Sequence, residues 1–469
     1  MANYLLIDFG STFTKLCAVD SEKCDILGTA SDFTTVETDI TEGYQKALKK
    51  LFDRIGKKIE FEQIIACSSA AGGLKMAAIG LVKELTVEAA KRVCLGAGAK
   101  VDLVFSHHLN NSEIKQIIDM KIDIILLAGG SDGGNSEAVI FNADLLGKSG
   151  IKIPVVFAGN KSAQDQISEI FDKYNMNGHI CENVMPSINV LNINSARDKI
   201  REIFLKQIIE AKGIKKIESE INRVILPTPS AVLEAAKLLS EGYLEESGLG
   251  EIVVVDIGGA TTDLYSICTS TKRSDVIVQG LEEPFAKRTV EGDLGMRYSA
   301  PGIVKSLSER EINFINKEKG VDIVEEVNRR YKNVKLLPEN QHDEFIDQFL
   351  AEMCAYRSMH RHCGRITEVL TPMGKVFNQT GKDLSEVSYV IGSGGVIINS
   401  KHQYEILRQT TNILNNPSEL RPNDPEFLID HDYIMSAMGL LAKIQPMVAL
   451  KIMKNHITQI RGNQDETSK

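Results

Sequence analysis

The chain has 469 residues, of which 43% are hydrophobic and 25% charged, and it carries a net charge of −9. That length predicts two or three domains with substantial apolar cores, and the acidic balance argues against nucleic acid or an anionic membrane as the main partner. Eight cysteines, at 17, 24, 67, 94, 181, 268, 354 and 363, form no CxxC pair, so zinc-ribbon and thioredoxin spacings are excluded and reduced, mostly buried thiols are expected.

The N-terminus starts directly on a strand-like pattern with no basic leader, and no apolar run reaches the roughly 18 residues of a spanning helix. A cytoplasmic protein is expected. That first strand, Tyr4-Leu5-Leu6-Ile7, ends at Asp8 and turns through Gly10-Ser11-Thr12 into a returning strand. A helix over Glu42–Ile55 and a strand over Gln63–Cys67 follow, then the small-residue turn Ser68-Ser69-Ala70-Ala71-Gly72-Gly73. That turn suits either a phosphate or simple packing.

Residues 100–185 change character. The apolar runs Val101–Phe105, Ile122–Ala128, Ile153–Ala158 and Ile180–Val184 alternate with helical patterns, which predicts βαβ units and a parallel sheet. The turn Ala128-Gly129-Gly130-Ser131-Asp132-Gly133-Gly134-Asn135 sits at a strand-to-helix junction. Such places suit a ligand or a partner, but a structural turn is the favoured reading. Residues 186–250 look largely helical, the last helix starting near Pro227-Thr228-Pro229-Ser230.

A second hairpin, Val253-Val254-Val255-Asp256-Ile257-Gly258-Gly259-Ala260-Thr261-Thr262-Asp263, repeats the plan of the first. Residues 295–382 look mostly helical. A strand over Val387–Ile391 runs into Gly392-Ser393-Gly394-Gly395, a small-residue helix covers 431–443, and the polar tail from Gly462 is expected to be disordered.

Gly frees the backbone to turn and to bring N–H groups close to an oxyanion. Two facing hairpins of this kind predict a clamp on a polyphosphate, with Asp8 and Asp256 holding Mg²⁺ through waters. The repeat itself predicts a duplicated nucleotide-binding fold.

The ordered series resembles the phosphate-1, connect-1, phosphate-2, adenosine and connect-2 elements of the actin/Hsp70/sugar-kinase superfamily. The resemblance spans residues 4–445 and implies an α/β, duplicated ribonuclease-H-like ATPase fold with ATP or ADP in a cleft between two lobes. It divides the chain into a first lobe (1–99), an inserted α/β region (100–185), a helical return carrying connect-1 (186–250), a second lobe (251–461) and a tail (462–469). Asp8 is then similar to the Asp that orients Mg²⁺, with Gly10, Ser11, Thr12 and Thr14 as its phosphate turn. Lys15 is similar to the lysine that reaches the phosphates in actin-type members, or is a lysine pointing out of a hairpin. Asp256 is similar to the Asp that orients the attacking water. Gly258, Gly259, Thr261 and Thr262 resemble the γ-phosphate cradle, with Thr261 catalytic and Asp263 closing the motif. Ala260 replaces a Gly common in Hsp70-type versions. Gly392, Gly394 and Gly395 resemble the adenosine turn, and Gly439 the helix-contact glycine of connect-2.

Within that superfamily the chain resembles most the MutL-type accessory proteins of glutamate mutase. The distinguishing stretches are Ile125–Asn135 and Arg288-Thr289-Val290-Glu291-Gly292-Asp293-Leu294-Gly295-Met296-Arg297. The resemblance implies a slow Mg²⁺-ATPase that reactivates an adenosylcobalamin-dependent mutase, with the mutase subunits as partners. A cobalamin-binding Asp-x-His-x-x-Gly pattern is absent, so cobalamin itself is not expected here. His107-His108 and Arg361-His362-Cys363 are expected to be structural, for want of a third ligand at fixed spacing. Open alternatives are a small-molecule kinase, a polymerising actin-like protein and a 2-hydroxyacyl-CoA dehydratase activator with an iron–sulfur cluster between subunits. A homodimer is also left open.

Overall fold

A computed structural model describes residues 2–10, 12–34, 40–69, 74–97, 99–188, 190–211, 221, 223–270, 276–372, 374–413 and 416–462. Ser11, residues 70–73 of the first small-residue turn, and the tail beyond Gly462 lie outside the described residues.

The first lobe opens with β1 (Asn3–Phe9), β2 (Phe13–Asp20), β3 (Asp25–Phe33), α1 (Ile40–Ile55) and β4 (Gln63–Ser68). A second unit follows: β5 (Leu74–Gly80), α2 (Lys83–Gly96), β6 (Ala99–Ser106), α3 (Asn111–Asp119), β7 (Ile124–Leu127), α4 (Glu137–Lys148), β8 (Val155–Phe157), α5 (Gln164–Lys173) and β9 (Gly178–Ile180). The chain returns through α6 (Asn194–Ala211), β10 (Arg223–Pro227) and α7 (Thr228–Glu241), then the short pair β11 (Gly242–Tyr243) and β12 (Glu246–Ser247). The second lobe begins with β13 (Ile252–Ile257), β14 (Thr262–Ile267), β15 (Val276–Gln279) and β16 (Ala286–Glu291). Its helices α8 (Ala300–Lys305), α9 (Glu309–Lys319), α10 (Ile323–Lys332) and α11 (Gln341–His362) lead to β17 (Arg365–Thr371), β18 (Gly374–Thr380) and β19 (Tyr389–Ser393). It closes with α12 (Gly395–Asn399), α13 (Gln403–Arg408), β20 (Glu426–Asp430), α14 (Met435–Leu441), α15 (Pro446–His456) and β21 (Ile457–Ile460).

Both lobes follow one plan. The first sheet runs β3-β2-β1-β4-β10 and the second β16-β14-β13-β19-β20-β21. In each, the opening three strands pair antiparallel and the next two join parallel. This is the duplicated ribonuclease-H-like plan that the sequence resemblance implies.

The continuous apolar runs of β1 and β13 follow from burial on both faces. In β1, Leu5, Ile7 and Phe9 pack toward Tyr44 and Leu51 of α1, whereas Tyr4 and Leu6 face a core shared with α7 and α14. In β13, Val253, Val255 and Ile257 pack with Ile346 and Leu350 of α11, whereas Ile252 and Val254 enter that same shared core. One apolar cluster therefore runs through both lobes.

The inserted sheet, β6-β5-β7-β8-β9, is parallel throughout, as the alternation predicts. It begins at Leu74, before the boundary expected at residue 100, because β5 and α2 pack into it. Ala-rich β5 carries little β-branched signal, which hides it in the sequence.

The expectation of a mostly helical 295–382 is corrected at its end: β17 and β18 form a hairpin, extended by β15 into a three-stranded sheet. Its apolar residues, Ile366, Val369, Leu370, Val376 and Phe377, keep no strict alternation, and Val369 and Leu370 are exposed, so cross-strand pairing and the positive φ of Gly374 (119°) specify the hairpin more than apolar periodicity does. Among the described residues no helix is long and apolar enough to cross a membrane.

Candidate functional site

Each lobe presents the same turn between its first two strands. Gly10 N–H donates to the Phe13 carbonyl at 3.1 Å, and Gly258 N–H to the Thr261 carbonyl at 2.9 Å. The registers also correspond, Asp8 lying opposite Lys15 and Asp256 opposite Asp263. A Cβ on Gly10 would stand 2.6 Å from the Phe13 carbonyl oxygen, so the turn itself requires Gly. The second turn is braced from behind. The Gly258 carbonyl accepts from Met296 N–H at 3.0 Å, and the Gly259 carbonyl from Arg297 and Tyr298 N–H at 2.8 and 2.9 Å. Glu291 and Asp293 share Arg361, at 2.6 and 2.7 Å.

The two carboxylates sit in different surroundings. Asp8 is 3% exposed. Its Oδ1 accepts from the Thr228 hydroxyl at 2.6 Å, its Oδ2 from the Ser436 hydroxyl at 3.2 Å, and Lys15 Nζ stands 3.6 Å from Oδ2. Asp256 is half-buried, and its Oδ1 accepts from the Tyr433 hydroxyl at 3.4 Å. Burial pushes the Asp256 carboxyl up to about 7; Lys15 opposes the rise, while Asp263, Asp8 and Asp430 add to it. Burial works to lower the Lys15 ammonium, but Tyr433, Asp8 and Asp256 outweigh it and hold the group above its ordinary value. Lys15 Nζ also lies 3.4 Å from the centre of the Tyr433 ring. Asp8, Lys15, Tyr433 and Asp256 thus form one chain of contacts linking the two hairpins.

The donor set suits a hard cation. Mg²⁺ prefers carboxylate and water oxygens and is often held by one or two protein groups plus phosphates. Asp8 and Asp256 are such groups, and each carboxylate oxygen keeps acceptor capacity beyond the bonds above. Among the described residues no cluster of three or more His, Cys, Asp or Glu is placed to hold a metal.

The sequence matches the MutL protein family over residues 4–457. The chain belongs to that family. It is 49% identical to "Protein MutL" of Clostridium tetanomorphum over 462 residues, covering 98% of this chain and 100% of that one. Among solved structures it is similar to the nucleotide-free form of diol dehydratase-reactivating factor, with TM-score 0.36, 10% identity and coverage of 94% of this chain and 99% of that one. It is also similar to (R)-2-hydroxyglutaryl-CoA dehydratase component A of Acidaminococcus fermentans, with TM-score 0.32, 10% identity and coverage of 97% and 99%. Likenesses at this level transfer neither chemistry nor partners.

Other residues singled out in the sequence fall into two groups. Gly258, Gly259 and Thr261 lie half-buried on the second turn, and the Thr261 hydroxyl donates to Asp263 Oδ2 at 3.1 Å. Asp263 is in turn held by the buried Arg288 at 2.6 Å. Thr12 lies on the first turn and its carbonyl accepts from Thr34 N–H at 2.8 Å. In contrast, Thr14 is fully buried against the Thr34 hydroxyl at 3.0 Å, and the Thr262 hydroxyl donates to the Leu294 carbonyl at 2.9 Å. Their side chains face protein. Gly392 also faces the core, since a Cβ there would meet Ile397, Ile429 and Leu407 at 2.9–3.0 Å. Gly394 (φ 94°) lies against the second hairpin, where a Cβ would stand 2.4 Å from the Ile257 carbonyl and 2.8 Å from Asp256 Oδ1. Gly395 is open, with nothing within 4 Å of a Cβ.

His362 is buried between the Thr289 and Ser266 hydroxyls at 2.8 and 2.9 Å, which gives it a structural place. Asn160 and Asn183 fill the space behind the 128–135 turn, bonding the Gly134 and Gly130 carbonyls at 2.9 and 3.0 Å.

Sequence reasoning missed Thr228, Ser436 and Tyr433. Thr228 reads as a helix cap, yet Pro227 takes the cap position and the Thr228 hydroxyl turns to Asp8. For Tyr433 the signal was Asp430-His431-Asp432-Tyr433 at a strand end, the usual place for site residues in α/β sheets.

Proposed function

We propose that this protein is a Mg-ATP-dependent reactivating factor for an adenosylcobalamin-dependent mutase, glutamate mutase or a related aminomutase, and that it releases damaged cobalamin through ATP-driven lobe movement. The observation that carries the nucleotide site is the meeting of both carboxylate-tipped hairpins at Lys15 and Tyr433. Membership of the MutL family and the sequence resemblance to glutamate mutase accessory proteins support the client.

In this reading Gly10, Thr12, Gly258, Gly259 and Thr261 line the polyphosphate, and Lys15 moves from Asp8 toward its oxygens. Asp8 and Asp256 hold Mg²⁺ through water, and the ion, when bound, neutralises phosphate charge. Asp256 orients the attacking water, and Thr261, fixed by Asp263, orients the phosphoryl group. Gly394 and Gly395 border the adenosine. Turnover is slow, and the inserted unit contacts the client. A lobe movement that favours one client conformation supplies the work of release.

The test combines acceptor-free ATP turnover with reactivation of a cyanocobalamin-blocked mutase. Turnover and ATP-dependent recovery of mutase activity are expected. ADP release that requires a small-molecule acceptor would identify a kinase instead, and failure to bind nucleotide would end the reading.

A further inference from the structure

Tyr433 stands out because its backbone is held in an unusual conformation and its side chain contacts both hairpins. Its φ of 53° is in the left-handed region, which a bulky residue rarely adopts unless its surroundings impose it. The surroundings here do impose it. Asp430, fully buried, accepts from Ile434 N–H at 2.8 Å, from Met435 N–H at 3.2 Å and from the Ser393 hydroxyl at 3.2 Å. Tyr433 N–H returns to the Asp430 carbonyl at 3.1 Å. On the other side, His456 bonds both Asp432 at 2.8 Å and Asp25 of the first lobe at 3.0 Å.

The side chain so aimed meets both hairpins. Its ring carries the Lys15 ammonium at 3.4 Å, and its hydroxyl reaches Asp256 Oδ1 at 3.4 Å. Packing alone would be served by Phe. A left-handed backbone alone would be served better by Asn or Gly.

We propose that Tyr433 is a positioning residue that sets Lys15 of the first hairpin and Asp256 of the second in register before a polyphosphate enters. The ring holds the ammonium by cation–π attraction, and the hydroxyl fixes one carboxylate oxygen so that the other faces the crevice. This inference rests on the ATPase reading above and adds the residue that aligns its two halves.

The experiment compares steady-state MgATP hydrolysis and thermal unfolding for wild type, Tyr433→Phe and Tyr433→Asn, using the full chain. Tyr433→Phe keeps the ring beneath Lys15 and loses the hydroxyl, so kcat should fall about tenfold with KM nearly unchanged. Tyr433→Asn relieves the backbone and loses both contacts. It should keep the wild-type melting temperature while kcat falls about 100-fold and KM rises. If both variants hydrolyse ATP like the wild type, or lose activity only in proportion to lost folding, the inference is overturned while the ATPase reading stands. A wild-type protein that binds no nucleotide overturns both.

Discussion

Gly439 of α14 lies directly on the backbone of Ala231 in α7: a Cβ at Gly439 would stand 1.8 Å from the Ala231 carbonyl oxygen. The helices following the last parallel strand of each lobe's sheet, β10 and β20, therefore meet backbone to backbone, within the apolar cluster common to both lobes. A methyl group there must push them apart. Gly439→Ala should lower unfolding stability in urea by about 1–3 kcal/mol, the range for overpacking, and should also slow ATP turnover because the lobes no longer meet in register. Unchanged stability would show that the helix pair yields freely.

Asp8→Ala removes the acceptor for the Thr228 and Ser436 hydroxyls and the charge facing Lys15, whereas Asp8→Asn keeps one acceptor oxygen and loses the charge. Loss of an organised charge at a phosphoryl-transfer site typically costs about 100-fold or more in kcat. Hydrolysis should fall accordingly, with the far-ultraviolet circular dichroism unchanged. Turnover near the wild-type rate would remove Asp8 from the site.

The adjacent glycines Gly394 and Gly395 should part company. Gly394→Ala sets a methyl against Ile257 and Asp256 at a positive φ, so it should displace the second hairpin and weaken ATP binding in calorimetric titration. Gly395→Ala enters open space and should bind ATP much as the wild type does. Equal effects at both positions would mean that steric access to nucleotide, not contact with the hairpin, governs this turn.

Asp256 gives a pH dependence opposite to that of a paired surface carboxylate. Its folded-state value, raised by burial to about 7, lies above its unfolded value, so the native state holds the proton more tightly. The stability that this proton contributes is fully present below about pH 4 and is lost as pH rises through 7. Asp256→Asn, which cannot ionise, should therefore melt a few degrees above the nucleotide-free wild type at pH 8, with the gap closing toward pH 4. The same variant should hydrolyse ATP poorly. A gap that widens in acid would contradict the assignment.

Arg297 ties the second hairpin to the helices behind it, donating its backbone N–H to Gly259 and its guanidinium to Leu336 and, at 2.8 Å, to Asp347. Asp347 also holds the fully buried Arg330 at 2.6 Å, so losing Arg297 leaves it partly compensated. Arg297→Met should destabilise the chain by roughly 2 kcal/mol, below the value for stripping a buried ion of every partner. A double-mutant cycle with Asp347→Asn should show coupling above about 0.5 kcal/mol. Strict additivity would mean that the pair contributes nothing of its own.

What the amino-acid order by itself determined is local. Each hairpin is written in a dozen consecutive residues, since an apolar run, an Asp and a Gly turn need only neighbours to take shape. The repetition of that text foretold the duplicated lobes, and the alternation after residue 100 foretold the parallel sheet. The environment of Asp8 was beyond such reading. Its hydroxyl donors stand 220 and 428 positions away along the chain, at Thr228 and Ser436, and reach it only because α7 and α14 close on one shared core. Thr14, Thr262 and Gly392 show the same limit from the other side. Alternation along a strand says that successive side chains point to opposite faces, but only packing decides which face meets the crevice and which meets another layer of the protein.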